Sequence, residues 1–163
     1  MKSKIFLGIV GAFLAIGCSQ ERPGDGTFNL DVAVEVSVEN SKGQDLLNPK
    51  TENALNAEDI KLYYVENGKA YEADEEMDDD GQPKKNIIVF QRGDKYRVRI
   101  LQNHSSEDET PLTLIQWNQK EIDTIKSEFL KGDRYIIQDK IYYNNKLSWT
   151  SNDSFEPYFK VVK

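Results

Sequence analysis

The stretch Phe28-Asn29-Leu30-Asp31-Val32-Ala33-Val34-Glu35-Val36-Ser37-Val38-Glu39 decides the fold class of this 163-residue chain. Every second residue from Phe28 to Val38 is apolar, and the residues between them are polar except for Ala33. Strand side chains point alternately to the two faces, so this period predicts a β-strand with one buried face and one face in solvent. The set expected in the core is Val32, Val34 and Val36, and the set expected in solvent is Asp31, Glu35 and Ser37.

Further along the chain, short runs with strand composition alternate with turn signals, and no long amphipathic helix is predicted. Asn67-Gly68 and Asn144-Asn145 predict tight hairpin turns. Residues 118–129 fit both a helical and a strand period, and we expect a loop or single helical turn there, leading into an edge strand. Many short strands with regular turns predict an all-β fold, specifically an antiparallel β-sandwich. The remaining strands are predicted over residues 60–66, 69–73, 86–91, 95–103, 111–117, 135–143, 146–149 and 155–162.

The first seventeen residues have the three parts of a secretory signal peptide. Lys2 and Lys4 give a positive start, an apolar run covers residues 5–14, and a small-residue exit precedes Cys18. The apolar run is too short to cross a bilayer, which needs about 20 residues, so we expect cleavage. The predicted organisation is a lipoprotein signal peptide at 1–17, a flexible tether at 18–27 and a β-sandwich domain at 28–163.

The exit of this leader resembles a lipobox, the cleavage site of bacterial lipoproteins. The lipobox pattern is Leu, a small or branched residue, Gly or Ala, then Cys, and here Ala15 stands at the Leu position. The resemblance implies that Cys18 carries the lipid and anchors the mature chain to a membrane. By the same resemblance, Ser19 after the cysteine favours transport to the outer membrane, and the leaflet stays open.

The mature part of the chain is acidic and nearly free of reactive side chains. Without the two lysines of the leader, 19 basic side chains stand against 28 acidic ones, a net charge of −9. This balance argues against nucleic acid as a partner and against anionic lipid as the main one. Cys18 is the only cysteine and His104 the only histidine, so the sequence predicts no zinc site, no thiol chemistry and no cofactor. No catalytic motif is recognisable, and we expect a protein that is not an enzyme.

Three pieces of the sequence carry a family likeness. They are the lipobox leader, the run Gly43-Gln44-Asp45-Leu46-Leu47-Asn48-Pro49 after the first strand, and Leu147-Ser148-Trp149 after the Asn-Asn turn. Together they resemble small lipoproteins of Bacteroidetes that have Ig-like or transthyretin-like β-sandwiches. The resemblance covers most of the chain and implies a fold and a place in the cell envelope. It implies no particular activity.

An acidic run offers the clearest set of candidate metal ligands. Seven acids lie within residues 72–80, and clustered carboxylates supply the oxygen ligands that calcium prefers. The calcium candidates are Glu76, Asp78 and Asp80. In an EF-hand loop starting at Glu76, however, Ile87 stands where a bidentate Glu is needed. We therefore favour a solvated acidic loop without a metal.

Three other features have both a functional and a structural interpretation. Asp123-Thr124-Ile125 matches the acceptor pattern of Bacteroidetes O-glycosylation at Thr124, although so short a pattern recurs by chance. His104 lies beside serines and acids in a predicted loop, which does not make a Ser–His–acid triad. Four aromatic residues form either a sugar-stacking platform or, as we favour, part of the core. They are Trp117, Tyr143, Trp149 and Tyr158.

These observations lead us to expect a lipid-anchored envelope lipoprotein that acts as a non-enzymatic binding or scaffolding module. Its partner would be another envelope protein or a glycan. The alternative is a glycan- or solute-binding accessory lipoprotein that uses exposed aromatic side chains. An enzyme built from two carboxylates is the third class and the one we favour least.

Overall fold

The described part of the chain is built from strands. The structure, a computed structural model, describes residues 27–77, 83–105, 110–154 and 156–163. These residues form thirteen β-strands and a short 3-10 helix at Ala57–Asp59. In chain order the strands are β1 Asn29–Asp31, β2 Ala33–Glu39, β3 Lys61–Glu66, β4 Lys69–Glu72, β5 Glu75–Met77, β6 Pro83–Lys85, β7 Ile87–Arg92, β8 Lys95–Leu101, β9 Leu112–Asn118, β10 Glu121–Gly132, β11 Tyr135–Tyr143, β12 Lys146–Thr150 and β13 Tyr158–Val162.

Two sheets pack face to face, which confirms the predicted all-β sandwich. The larger, seven-stranded sheet has the order β1-β11-β10-β9-β3-β4, with β12 also paired to β11. The smaller, four-stranded sheet has the order β13-β2-β8-β7, and β5 pairs with β6 in a separate ribbon. Most neighbouring strands are antiparallel. The larger sheet contains one parallel pair, β1 with β11, and the smaller sheet contains another, β13 with β2.

The core lies between the facing surfaces of the two sheets. Its ten central side chains are 0 or 1% exposed, and fully burying one such apolar side chain contributes about 1.5–3 kcal/mol. The smaller sheet supplies Val34, Val36, Val38, Val98 and Ile100, and the larger sheet supplies Leu62, Ile115, Trp117, Ile125 and Ile141.

The apolar run from Phe28 to Val38 forms two strands, one in each sheet, instead of the single strand that was predicted. β1 pairs with β11 in the larger sheet, and after Val32 the chain continues as β2 in the smaller sheet. The predicted burial of Val32, Val34 and Val36 is confirmed, with exposures of 1, 1 and 0%. Phe28 and Leu30, at the edge of the larger sheet, are instead 55 and 45% exposed.

The expectation that the polar side of this run faces open solvent is wrong for Ser37 and incomplete for Glu35. Ser37 is 4% exposed, and the side chain of Glu35 is 12% exposed. Long cationic side chains and the ring of Tyr158 cover them on the outer face of the smaller sheet. Asp31, by contrast, is exposed as predicted.

Residues 118–129 differ most from their prediction. Instead of a loop or helical turn leading into an edge strand, β10 runs unbroken for 12 residues between β9 and β11, inside the larger sheet. Asp123 and Ser127 point into the sandwich alongside Ile125 and are buried. These two inward polar residues obscured the alternation that identifies a strand.

The turns formed where the sequence predicted them. Asn67-Gly68 have φ values of 50° and 74°, and Asn144-Asn145 have 48° and 67°. Positive φ at both central residues is the geometry that two-residue hairpins favour. A second local difference lies in the acidic region, where β5 and β6 pair as a ribbon on either side of residues 78–82.

Candidate functional site

The outer face of the smaller sheet brings together charged side chains from all four of its strands. The pairs Glu35 with Arg99, Arg97 with Phe90, and Tyr158 with Glu35 stand directly opposite one another on neighbouring strands. Alternation then places every second residue of the four strands on this face. We call it the basic face and define it by Glu35, Ser37, Glu39, Phe90, Arg92, Lys95, Arg97, Arg99, Tyr158 and Lys160.

Glu35 stands at the centre of the basic face and binds three arginines. Its Oε2 accepts hydrogen bonds from Nη1 of Arg92 at 2.9 Å and Nη1 of Arg97 at 3.0 Å. Its Oε1 accepts one from Nη2 of Arg99 at 2.9 Å. Burial by itself would raise the pKa of Glu35, but hydrogen bonds from Arg99, Arg97 and Arg92 hold that pKa below its ordinary value. Glu35 is therefore ionised at neutral pH and neutralises only part of the charge around it.

Glu39, four residues after Glu35 on β2, is likewise a carboxylate bound by more than one cation. Nζ of Lys95 lies 3.0 Å from its Oε1, and Nζ of Lys160 lies 3.1 Å from its Oε2. Hydrogen bonds from these two lysines lower the pKa of Glu39. The basic face thus carries five cations and two carboxylates, and Glu156 beside it adds a third carboxylate, whose oxygens lie 2.8 and 2.9 Å from Nη2 of Arg92.

Aromatic rings hold two of the arginines in place. The guanidinium carbon of Arg97 lies 4.0 Å from the ring centroid of Tyr158, and that of Arg99 lies 5.3 Å from the centroid of Phe90. The hydroxyl groups of Tyr158 and Ser37 share a hydrogen bond of 2.8 Å, which fixes the ring. A guanidinium stacked on a ring and bound to a carboxylate has lost most of its freedom before any ligand arrives.

A second carboxylate cluster lies at the core side of the larger sheet. Asp123 accepts hydrogen bonds from the indole N–H of Trp117 at 2.7 Å, the amide of Asn144 at 2.6 Å and Nζ of Lys163 at 2.7 Å. The hydroxyl of Tyr143 donates to it as well. Burial would raise the pKa of Asp123, but these donors hold it below its ordinary value, whereas burial and the nearby carboxylate raise the pKa of Tyr143. Both oxygens of Asp123 are engaged by protein donors, so this cluster is structural.

An open cleft of about 420 Å³ lies at one end of the sandwich. The ring of Tyr71, 42% exposed, stands edge-on to Tyr64 with 6.1 Å between centroids. The hydroxyl of Tyr71 donates to Glu66 at 2.6 Å, and burial together with this carboxylate raises the pKa of Tyr71 to about 12. The other lining residues are Asn103, His104, Ser105 and Ile136.

The residues singled out from the sequence are scattered. Cys18 lies outside the described residues, as do the calcium candidates Asp78 and Asp80, while Glu76 lies on β5. Among the residues that the structure describes, no three His, Cys, Asp or Glu side chains gather as metal ligands. His104 lies in the cleft, where its Nδ1 is 3.0 Å from the carbonyl oxygen of Gln102.

Thr124 is half-buried on β10, inside the larger sheet. Its hydroxyl donates to Oδ1 of Asn144 at 3.3 Å, and its own N–H donates to the same oxygen at 2.8 Å. The proposed aromatic platform does not form, because Trp117 and Trp149 are 0 and 4% exposed and belong to the core. Tyr143 and Tyr158 are half-buried in the two polar clusters.

The arginines of the basic face were missed from the sequence, although one signal was present. Lys95, Arg97 and Arg99 occupy alternate positions of a predicted strand, which places three cations on one face. Their carboxylate partners, Glu39 for Lys95 and Glu35 for the two arginines, come from more than fifty positions earlier in the chain. Only the pairing of β2 with β8 brings them together.

No family model matches the chain, and no similar protein was found among curated sequences or solved structures. Within residues 27–77, 83–105, 110–154 and 156–163, no helix is long and apolar enough to cross a membrane. The class that fold and site define is a β-sandwich with a cluster of five cations and their carboxylate partners on one sheet face.

Proposed function

We propose that this chain is a non-enzymatic lipoprotein of the bacterial envelope, anchored through Cys18, whose β-sandwich binds another envelope component. The anchor follows from the leader and the lipobox-like exit at Ala15-Ile16-Gly17-Cys18. Ser19 favours the outer membrane as the place of anchoring. The tether of residues 18–27 then holds the sandwich close to the membrane surface.

The observation that carries the binding role is the basic face. Its carboxylates, Glu35 and Glu39, are 12 and 11% exposed, whereas the cations around them reach 42% at Arg92 and 56% at Arg99. Positive charge is therefore presented to solvent on one face of a chain whose net charge is −7. Such a local field attracts a negatively charged partner and orients the domain towards it.

Anchoring is tested by changing Cys18 to Ser in the full chain and following its processing. The wild-type chain is expected to enter the detergent phase on partition, and mass spectrometry is expected to show a lipid-modified cysteine at its mature N-terminus. The Cys18→Ser chain is expected to lack the lipid and to remain uncleaved or be released as soluble protein. A wild-type N-terminus without lipid would contradict the proposal.

A second candidate function rests on the cleft beside Tyr71. An exposed ring beside Asn103, Ser105 and Glu66 combines an apolar surface with hydrogen-bonding groups, as neutral saccharide sites do. Under this alternative the chain is a glycan- or solute-binding accessory lipoprotein. Calorimetric titration with neutral oligosaccharides tests it, because Tyr71→Ala is expected to remove their binding and Arg99→Gln is not.

A further inference from the structure

We propose that the basic face binds an acidic polysaccharide, whose carboxylate or other oxyanion groups pair with Arg99, Lys95 and Lys160. This inference names the ligand class and rests on the proposed function for its use of the same face. The chemistry is a repeated oxyanion carried on a flexible sugar chain.

On the basic face the cations point towards solvent, and the carboxylates that they share lie closer to the sheet. The side chains of Lys95 and Lys160 are 46 and 50% exposed, while Glu39, which they share, is 11% exposed. Arg99 stands over Glu35 in the same way, at 56% against 12%, whereas Nη2 of Arg92 is already paired with both oxygens of Glu156, which is 66% exposed. An arriving ligand therefore meets the ammonium groups of Lys95 and Lys160 and the guanidinium group of Arg99, with Glu35 and Glu39 beneath them.

The guanidinium group of Arg99 is preorganised to bind an oxyanion. A guanidinium has five N–H donors in a fork that matches the two oxygens of a carboxylate. Arg99 gives one N–H to Glu35 and packs against the ring of Phe90. Held in this way, it faces solvent with a defined plane, so binding an oxyanion orders little that is not already ordered.

The cations are distributed across the whole sheet face, an arrangement that fits a polymeric anion better than a small one. Lys95, Arg97 and Arg99 alternate along β8, and strand geometry places successive members about 6.8 Å apart. Lys160 on β13 and Arg92 on β7 extend the field to both edges of the sheet. One recess of about 290 Å³ exists at this face, but three acids line it beside Arg92 and Arg99. They are Asp31, Glu35 and Glu156, and they disfavour a small anion there.

Two other polyanions fit the face less well. Nucleic acid binding commonly uses bare rings for base stacking, whereas guanidinium groups stand over the rings of Tyr158 and Phe90. An anionic bilayer is a flat, extended surface, and a chain of net charge −7 brings its acidic regions close to that surface as well. A flexible polysaccharide contacts the basic face alone.

The test is affinity electrophoresis of the chain from Ser19 to Lys163, which contains both sheets and the whole core. Native gels contain polygalacturonate, a polymer with one carboxylate per sugar, or neutral dextran at the same concentration. We expect polygalacturonate, and not dextran, to retard the wild type, and added salt to weaken the retardation. Replacing two exposed cations, as Arg99→Gln with Lys160→Gln, is expected to weaken binding about tenfold or more.

The matched control is Lys126→Gln with Lys140→Gln, which removes the same charge from the outer face of the other sheet. This control is expected to bind like the wild type. Arg99→Lys keeps the charge but loses the fork, and an intermediate affinity is expected. Urea midpoints verify that each variant is folded. If the Arg99 and Lys160 double variant does not fold, the single variants Arg99→Lys and Lys160→Gln decide the outcome.

Several results would overturn the inference. Equal weakening in both double variants would mean that only total charge matters, and equal retardation by dextran would mean that charge does not. Stronger binding to phosphatidylglycerol vesicles or to single-stranded DNA than to polygalacturonate would assign the face to a different partner. No retardation at all would remove the polysaccharide, whereas the proposed anchoring stands or falls separately with the processing of Cys18.

Discussion

Glu35 and Asp123 are two partly shielded carboxylates that the fold uses in opposite ways. Asp123 receives three neutral donors and one cation, Lys163, which also pairs with Glu121, so its cluster has no excess positive charge and is satisfied within the protein. Glu35 receives three arginines on an outer sheet face, so positive charge remains beyond it. The number of cations around a shielded acid therefore separates a cluster that only stabilises the fold from one that, as we propose, also attracts a ligand.

The two clusters also differ in what they connect. Asp123 joins β9, β10 and the β11–β12 turn to Lys163, whose Nζ lies 5.1 Å from the ring centroid of Trp117. It thereby ties the segment after β13 to the larger sheet. Glu35 joins β2, β7 and β8 within the smaller sheet alone. Loss of Asp123 should therefore weaken contact between the sheets, and loss of Glu35 should not.

The largest effect is expected when a carboxylate is placed beside Glu35 but on the other face. Val34 is 1% exposed and packs in the core, where the described neighbours are apolar. Val34→Asp should cost several kcal/mol, about the whole stability margin of a small domain. The matched control is Ala33→Asp, which adds the same group to the outer face near Arg99. Urea unfolding of both variants measures the difference, and comparable losses would contradict the register of β2.

Removal of the charge at Asp123 should have the next largest effect. Asp123→Asn leaves Lys163, with a side chain 11% exposed, with only the more exposed Glu121 as counter-charge, and it turns an NH₂ group towards existing donors. Breaking a buried pair typically costs about 3–5 kcal/mol, and the remaining pair with Glu121 should keep the loss at the lower end of that range. Asp139→Asn serves as the control, because Asp139 is half-buried and accepts a bond from Ser151 at the surface. Equal urea midpoints for the two variants would show that Asp123 contributes no special stability.

Replacement of Glu35 should cost less, but more than its predicted solvent position implied. A solvent-facing Glu is expected to tolerate Val within about 0.5 kcal/mol. The structure instead gives Glu35 three arginine partners, and we expect Glu35→Val to cost about 1–2 kcal/mol through unneutralised arginine repulsion. Added salt should recover part of this loss by screening the arginines. A urea midpoint equal to the wild type would return Glu35 to the role of an ordinary surface residue.

The sequence predicted the fold class because apolar alternation and turn chemistry are local. Val32 to Val38 and the Asn67-Gly68 turn needed no distant partner to be recognised. β10 was missed because Asp123 and Ser127 occupy inward positions, where their hydrogen-bond partners come from other strands. The switch of sheet at Val32 left no local signal either, because both β1 and β2 continue the same alternation.

The candidate site was less predictable for a related reason. Each charged residue of the basic face is of a type that ordinarily lies exposed on a strand. Whether it joins a cluster depends on which strands are its neighbours in the sheet. Glu35 and Arg92 are 57 positions apart. Composition misled here, because a net charge of −7 describes the whole chain and hides a sheet face on which five cations surround two acids.

Acid should weaken the two clusters in sequence, and this is the smallest of the expected effects. Each carboxyl has a folded-state pKa below its ordinary value, 4.5 for Glu35 and 3.8 for Asp123. A lowered folded pKa means that the unfolded chain binds the proton more readily, so the stabilisation is complete above the ordinary value and is lost as pH falls through the folded one. The contribution of Glu35 should therefore begin to fall just below pH 4.5, and that of Asp123 only below pH 3.8. Urea midpoints between pH 7 and pH 3 are expected to fall less steeply for Glu35→Gln than for the wild type, beginning below pH 4.5. An unchanged slope in that variant would mean that the three arginines do not favour the ionised form of Glu35, and the distinction between the two carboxylates would then rest on position alone.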